Sequence, residues 1–256
     1  MYSRLIDIHS HILPELDDGP STIEEAIAMV RMAARAGTTD IVATPHCNVR
    51  FAFDPERIAV LLSKMRAAAG AEIRLYSGCD FHLTPENIES ALAQPSRYTI
   101  NQKSYLLVEW SEVTVPHTAL EIFERLRGRG LIPVVTHPER NRVLQNRTDW
   151  LEEWVEHGCL LQVTAGAFLG HFGSHASKAV HALARRGLAH MAASDAHDTK
   201  YRAPALQEAY RHVASCYGES YARMLFVENP GAALNGRPLA CARCIPPRRR
   251  KWLFLG

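Results

Sequence analysis

The sequence contains no apolar run of the roughly 18 residues needed to span a bilayer. Its first residues, MYSRLIDIHSH, also lack the basic flank and the apolar stretch of a secretory signal peptide. We therefore expect a cytoplasmic protein. The six cysteines are scattered along the chain, so they predict free thiols rather than a disulfide framework.

Acidic residues are absent after Gly236, where all six charged side chains are basic. Because the net charge of the chain is only +2, residues 1–236 carry a net negative charge. A nucleic-acid enzyme would carry its basic surface on the fold itself, so we expect no nucleic-acid partner. The tail, 237–256, ends in the apolar run WLFLG and suits an anionic membrane surface, with a solvated end as the alternative.

Short apolar, β-branched runs alternate with longer amphipathic segments, most of which end in glycine. Seven strands, most of them followed by a helix, predict an α/β barrel in a single domain, 1–236. Residues 85–94 predict an extra helix, and 98–104 a strand or hairpin. The predicted strands are 4–9, 40–46, 72–80, 105–110, 132–139, 160–166 and 189–197.

Polar side chains follow six of the seven predicted strands. The carboxyl ends of barrel strands converge on one face, which is where active sites of such barrels lie. Buried strand ends with this many imidazoles and carboxylates are not typical of a packed core. The residues are Asp7, His9, His11, His46, Asp80, Glu109, His137, Glu139, Arg140, Ser194, Asp195 and His197.

The spacing of these residues indicates a metal site. In His9-Ser10-His11 the alternation of a strand places both imidazoles on one side, and Asp195-Ala196-His197 repeats this spacing. Mixed imidazole and carboxylate ligands suit manganese, zinc or iron(II), and their number predicts two or three ions. Such a cluster activates water as hydroxide and clamps a phosphoryl group. Arg140 and Arg202 would then donate to phosphate oxygens.

Several motifs resemble a known family: IDIHSHILPELDDGP, VATPH, YLLVEW, THPERN, QVTAGAFLGHFG, SDAHDTKYR and the late ENP. They are similar to the bacterial metal-dependent protein-tyrosine phosphatases of the polymerase and histidinol phosphatase (PHP) superfamily, which are encoded with capsule and exopolysaccharide genes. The resemblance runs from Ile6 to Asn235 in the same order. It implies a distorted (β/α)7 barrel like a TIM barrel, manganese as the metal, and a tyrosine autokinase of polysaccharide export as the partner.

The resemblance also implies roles for individual residues. Arg140 and Arg202 match phosphate-binding arginines, and Asp195 joins them in the catalytic centre. The ligands of the first ion would be His9, His11, Asp80 and Asp195, those of the second Asp18, His46 and His197, and those of the third Asp80, Glu109 and His137.

The chain departs from the family at Asp80, where the family usually has glutamate. Aspartate is one methylene shorter, so a bridging role there requires a backbone shift or a closer pair of metals. Asp17 is an alternative to Asp18 if the loop is displaced, and His82, two residues after Asp80, is a further candidate to face the site. Asp7 and Glu139 are expected to support the ligands rather than to bind metal.

Three functions are compatible with these residues. The first is hydrolysis of phosphotyrosine on a protein by a metal-activated hydroxide, and the second is hydrolysis of a small phosphomonoester such as histidinol phosphate. A scaffold without activity is the third, and it would be expected to lack ligands that this chain retains. The Cys244-x5-Arg250 spacing of thiol-dependent phosphatases includes Pro246 and Pro247, which lack the N–H groups of a phosphate cradle, so we expect no cysteine nucleophile.

Overall fold

Nine short strands, all paired in parallel, form the centre of the molecule in a computed structural model that describes residues 4–70, 72–111 and 114–239. Most strand residues are buried, because helices cover the sheet. The strands are β1 Leu5–Ser10, β2 Thr38–Ala43, β3 His46–Cys47, β4 Arg74–Ser77, β5 Asp80–His82, β6 Tyr105–Glu109, β7 Ile132–Thr136, β8 Leu160–Thr164 and β9 Met191–Ala193.

Helices follow most strands, as the amphipathic segments predicted. Thr22 caps the first helix by accepting a hydrogen bond from the backbone N–H of Glu25. A π-helical turn, Met224–Glu228, continues the ninth helix into the tenth. The helices are α1 Ile23–Arg35, α2 Pro55–Ala69, α3 Pro85–Ala93, α4 Ala119–Gly128, α5 Thr148–Glu156, α6 Ala165–Phe168, α7 Gly173–Arg186, α8 Gln207–Tyr217, α9 Glu219–Arg223 and α10 Asn229–Leu234.

Two of the predicted strands are each broken into two. Residues 40–46 contain the end of β2 and the start of β3, and 72–80 contain β4 and the start of β5. Pro45 interrupts the first because it has no N–H to donate. Gly78 interrupts the second, where a Cβ would lie 2.9 Å from Val42 Cγ1. The first parts pair in the order β1-β2-β4, and the second parts join β3-β5-β6-β7-β8-β9.

The two sheets curl so that the first and last strands meet. The N–H of His11 donates to the carbonyl of Ala196 at 2.8 Å, and the N–H of Asp195 donates to the carbonyl of His9 at 2.9 Å. The chain therefore has an α/β fold with a curled parallel sheet, whose strand ends lie along one rim. Within the described ranges, no helix is long and apolar enough to cross a membrane.

The expected strand or hairpin at 98–104 is wrong. Residues Ile100–Gln102 form a 3-10 turn, and Asn101 and Gln102 have φ values of 50° and 55°. This left-handed region is incompatible with a strand, although Tyr98 and Ile100 are buried as strand residues would be.

The core lies on both faces of the sheet. Alternate residues of β6 separate the two layers: Leu107 packs inside the curl, and Leu106 and Val108 pack under the helices. The inner layer includes residues of β1, β2, β7 and β9 and is completed by Leu234 of α10. Each large apolar side chain buried there contributes about 1.5–3 kcal/mol. The strands that carry the polar rim are thus held in place by packed apolar layers on both faces of the sheet.

Candidate metal centre

The rim at the carboxyl ends of the strands holds the predicted ligands. They come from different strands, and the parallel arrangement places their ends side by side. Eight of the nine lie in a strand or within four residues after one, with His46 and Asp80 at the start of the short strands β3 and β5, and Asp18 lies in the loop between β1 and α1. The eight are His9, His11, His46, Asp80, Glu109, His137, Asp195 and His197.

The four residues expected to share one ion lie together and are almost completely buried. His9 Nε2 is 3.6 Å from Asp80 Oδ2 and 3.4 Å from Asp195 Oδ1. His11 Nε2 is 3.4 Å from the same Asp195 oxygen and 3.3 Å from His9 Nε2. Ligand atoms of His9, His11 and Asp80 all lie within 4.8 Å of one another. The i, i+2 spacing of the histidines therefore brings them together as predicted.

The three residues expected to share a second ion also converge. Asp18 Oδ1 lies 3.4 Å from His46 Nε2 and 3.4 Å from His197 Nε2. His11 joins them, so that four ligand atoms lie within 4.8 Å of one another. Asp18 is about half exposed, which leaves this part of the rim open to solvent.

A third group contains a residue outside the expected nine. His82 Nε2 lies 2.5 Å from Glu109 Oε2, whose other oxygen lies 3.2 Å from His137 Nε2. Ligand atoms of His46, Asp80, His82 and Glu109 lie within 4.8 Å of one another. The signal for His82 was in the sequence, since Asp80-Phe81-His82 repeats the i, i+2 spacing of the other two clusters.

The buried atoms at the centre of these groups fit a cation. Neither oxygen of Asp80 has a hydrogen-bond partner among the described residues, and the same holds for His46 Nδ1 and His197 Nε2. Yet His46 Nδ1 and Asp80 Oδ2 are only 3.0 Å apart. Buried polar atoms that approach closely without hydrogen-bonding geometry carry a large desolvation penalty. A positive ion between them would remove that penalty.

The charge state of the carboxylates also suits cation binding. Burial would raise the pKa of Asp195, but His9 and Arg140 outweigh it and hold the pKa well below its usual range. Burial acts in the same way on Glu109, where hydrogen bonds with His137, His46 and His82 hold the pKa well below its usual range. Both groups are therefore anionic over the whole neutral range.

Hydrogen bonds behind the histidines fix which nitrogen faces the centre. Asp17 accepts a hydrogen bond from His11 Nδ1 at 2.7 Å. Burial lowers the pKa of His11, but the Asp17 carboxylate outweighs burial and raises that pKa to about 9. Gln162 accepts from His9 Nδ1 at 2.8 Å. In each ring the Nε2 atom is left to face the other ligands.

Asp17 and Asp18 have different roles in the loop after β1. Besides His11, Asp17 accepts from the backbone N–H of His46 at 3.0 Å and of Gly19 at 3.0 Å. These bonds turn Asp17 away from the ligand cluster, and Asp18 is the one that faces His46 and His197. Gly19 is required in this loop, because a Cβ there would lie 2.4 Å from the carbonyl oxygen of His11.

Asp7 supports the end of β9. It accepts from the backbone N–H of Ser194 at 3.0 Å and from the Ser194 hydroxyl at 2.6 Å. The next residue, Asp195, has a φ of 52°, and His137 has a φ of 33°. Such left-handed conformations are costly for residues other than glycine and cluster at functional sites.

Two arginines lie on the other side of Asp195. Arg140 Nη1 and Arg202 Nη2 both donate to Asp195 Oδ2, the latter at 2.5 Å, whereas the histidines face Oδ1. The Arg140 guanidinium also lies over the ring of Phe172, 4.6 Å from its centre. The structure thus brings both predicted arginines to the metal-ligand cluster.

Phe51 and Phe53, in the loop after β3, differ in position. The Phe51 ring is stacked against His46, with 6.0 Å between centroids. Phe53 packs on Tyr98 at 5.0 Å and anchors the loop to the core.

A curled parallel sheet with an imidazole and carboxylate cluster on its carboxyl-end rim defines an α/β protein with a candidate metal centre. The family model described as "Capsular polysaccharide synthesis, CpsB/CapC" matches residues 5–235. The chain therefore belongs to the CpsB/CapC family.

Relatives in this family are named as phosphatases. "Putative tyrosine-protein phosphatase CapC" from Staphylococcus aureus is 36% identical over 202 residues, covering 77% of this chain and 79% of that protein. "Tyrosine-protein phosphatase YwqE" from Bacillus subtilis (strain 168) is 34% identical over 259 residues, covering 96% of this chain and 98% of that protein.

Solved structures agree at two levels of similarity. A crystal structure from work on YwqE of Bacillus subtilis and CpsB of Streptococcus pneumoniae, described as unique metal-dependent tyrosine phosphatases, matches with a TM-score of 0.86 and 32% identity. It covers 96% of this chain and 100% of that one. The lactonase Lmo2620 from Listeria monocytogenes matches with a TM-score of 0.60 at 13% identity, over 93% of this chain and 96% of that one, and shows a shared fold only.

Proposed function

We propose that this chain is a metal-dependent protein-tyrosine phosphatase. The observation that carries the proposal is the position of Arg140 and Arg202, which meet the metal-ligand cluster at the carboxylate of Asp195. Two guanidinium groups beside a cluster of imidazoles and carboxylates suit a phosphate group that contacts cations on one side and arginines on the other. The names of relatives at 34–36% identity support the same activity.

The ligands would be divided among two or three ions of manganese, with zinc or iron(II) as alternatives. Asp80 lies between two of the groups, since its Oδ2 atom faces both His9 and His46. This position suits a bridging role despite the shorter side chain. The proposed ligands are His9, His11, Asp80 and Asp195 for the first ion, Asp18, His46 and His197 for the second, and Asp80, Glu109 and His137 for the third, with His82 beside Glu109.

Ions bound there would lower the pKa of water and stabilise the charge that develops on the phosphoryl oxygens. Arg140 and Arg202 bind and orient the phosphate, because each keeps further N–H donors besides the one that Asp195 accepts. Asp195 in turn holds both guanidinium groups in place. Asp17 accepts the Nδ1 proton of His11 and Gln162 that of His9, so the Nε2 atom of each ring would be the one to bind an ion, with release of any proton held there.

We further propose a distorted (β/α)7 barrel, in which β2 with β3 and β4 with β5 each count as one interrupted strand. The hydrogen bonds between His9, His11 and the segment after β9 support closure. The phosphatase domain would be 1–236. The basic tail is 237–256, and its residues 240–256 lie outside the described residues, so contact with an anionic membrane is proposed from its composition alone.

The proposed partner is a tyrosine-phosphorylated kinase of capsule or exopolysaccharide export, and the proposed location is the cytoplasm. The family description, capsular polysaccharide synthesis, supports the partner. A membrane-associated kinase would also account for a tail suited to anionic lipid.

The test compares substrates and metals on the purified full chain. Chelation should abolish hydrolysis of a phosphotyrosine peptide, and manganese should restore it. The restored enzyme should act on the peptide with a higher kcat/KM than on histidinol phosphate. Full activity in protein verified free of metal would refute the metal requirement, and a preference for histidinol phosphate would favour a small-molecule phosphatase.

A further inference from the structure

A groove of about 600 Å³ opens beside the metal centre, next to Arg140. We call it the Arg142 groove. Phe172, whose ring lies under the Arg140 guanidinium, forms part of its wall. The groove therefore starts at the residue that would hold the phosphate and leads away from it. Its main lining residues are Arg140, Arg142, Gln145, Asn146, Phe172 and His175.

The charges in this groove have one sign. The lining residues include two arginines and a histidine but no carboxylate. Arg142 is exposed, and within the part of the chain that the structure describes it forms no ion pair. Arg140, by contrast, is committed to Asp195. An exposed positive charge without a partner, at the side of a site for an anion, complements an acidic segment.

The backbone around Arg142 is held in place. Asn141 Oδ1 accepts from the N–H groups of Val143 and Leu144, and its Nδ2 donates to the carbonyl of Ser111. Asn146 Nδ2 donates to the carbonyl of Arg142 at 3.1 Å, and Gln145 Nε2 to that of Glu139 at 2.7 Å. A preformed backbone lowers the entropic cost of binding an extended segment.

The first turn of α7, from Gly173 to Ala176, also lines the groove. It contains no acidic side chain, and no side chain caps it. Its partial positive charge therefore adds to that of Arg142.

We propose that the Arg142 groove binds acidic residues flanking the phosphotyrosine of a protein substrate. The proposal rests on the phosphatase function and names the class of peptide that the site prefers. Substrates that consist of a phosphorylated ring alone would not reach Arg142. The groove would thus separate protein substrates from small phosphomonoesters at the same catalytic centre.

The experiment uses the manganese-loaded full chain and three substrates. These are a phosphotyrosine peptide flanked by aspartate and glutamate, the matched peptide with asparagine and glutamine, and p-nitrophenyl phosphate. At low ionic strength kcat/KM should be about fivefold higher for the acidic peptide than for the neutral one, as expected for a solvated charge contact. The ratio should fall as salt is added.

Substitutions test whether the preference for the acidic peptide depends on the Arg142 groove. Arg142→Glu should remove the preference and leave kcat/KM for p-nitrophenyl phosphate within about twofold, and Arg142→Gln should do so more weakly. The matched control is Arg211→Glu, the same charge change at an exposed arginine of α8 that does not line the groove. It should keep the preference.

The outcomes distinguish the two proposals. Equal rates on both peptides, or a preference that survives Arg142→Glu, would overturn the groove and leave the phosphatase function standing. Equal losses on the peptides and on p-nitrophenyl phosphate would also overturn it, because Arg142 would then act on the catalytic centre. Hydrolysis of p-nitrophenyl phosphate without hydrolysis of either peptide would overturn both proposals.

Discussion

Each end of the parallel strands holds a buried aspartate, and the two differ in their hydrogen bonds. Near the start of β2, Asp40 accepts from Arg74 Nε and Nη2, each at 2.7 Å, from Thr39 Oγ1 at 2.8 Å and from the Tyr76 hydroxyl at 3.0 Å. At the rim, Asp80 is at least as buried, but neither of its oxygens has a hydrogen-bond partner within the described residues. Its neighbours include a second carboxylate, Glu109.

This difference separates a structural charge from a functional one. A buried carboxylate with its hydrogen bonds complete is compensated by its own fold, whereas one that is not compensated costs stability. Buried polar groups without hydrogen-bond partners are expected mainly at functional sites. Burial alone would have ranked Asp40 and Asp80 together, and only their partners distinguish them.

The largest expected effect is that of Asp80→Asn. The variant should lose bound manganese and lower kcat by about three orders of magnitude, because a neutral amide is a much weaker ligand for a divalent cation than a carboxylate. Its metal-free form should unfold at a somewhat lower urea concentration than the metal-free wild type. Burial and Glu109 raise the pKa of Asp80, but His9 and His46 outweigh them and hold that pKa below its usual value, so the charge stabilises the fold. Metal analysis, steady-state kinetics and urea unfolding measure these outcomes. Lower stability with normal turnover would make Asp80 a structural residue like Asp40.

Arg140 and Arg147 extend the comparison to the positive charges, one at the rim and one on the surface. Arg140→Ala should lower kcat/KM for a phosphotyrosine peptide by about 10- to 100-fold, because it removes a charged hydrogen bond to the phosphate. Arg140→Lys should have an intermediate effect. The control is Arg147→Ala, which removes a guanidinium paired with Asp149 on the surface and should leave kcat/KM unchanged. Wild-type kcat/KM in Arg140→Ala would exclude a phosphate role.

The fold and most of the rim could be predicted because they depend on short patterns. Apolar runs gave the strands, and i, i+2 pairs such as His9 with His11 placed ligands on one side of a strand. The same spacing pointed to His82, which stayed a further candidate because the nine ligands were chosen by the family resemblance. Membership in the CpsB/CapC family was confirmed.

Features that need distant contacts could not be predicted. The break at Gly78 depends on Val42 and Thr44, which lie more than 30 positions earlier. The Arg142 groove forms where the loop after β7 meets the start of α7, and no pattern in either segment indicates the other. The satisfied state of Asp40 likewise depends on Arg74, from a different strand.

Asp40→Asn tests the structural half of the comparison and should affect stability only. Loss of its ion pair with Arg74 should lower the free energy of unfolding by about 2 kcal/mol, with kcat unchanged in the folded protein. Asp149→Asn is the control: its carboxylate is exposed, so its loss should change stability much less than the loss of Asp40. Urea unfolding with equal manganese in all samples measures the difference. A fall in kcat with Asp40→Asn would show that the two ends of the sheet are coupled.

The smallest expected effect is the pH dependence of the difference in unfolding free energy between the wild type and Asp40→Asn. Burial by itself would raise the pKa of Asp40, but hydrogen bonds from Arg74, Thr39 and Tyr76 hold it below 3.8. A carboxyl whose pKa is depressed in the folded state stabilises the protein above its unfolded pKa, and this contribution is lost as pH falls towards the folded pKa. The difference in unfolding free energy between the wild type and Asp40→Asn should therefore be constant at neutral pH and shrink below about pH 3.8. Comparing the two proteins at each pH cancels the titration of the rim carboxylates, which both share. A difference that stays constant below pH 3.8 would mean that Asp40 is held by shape and not by its charge.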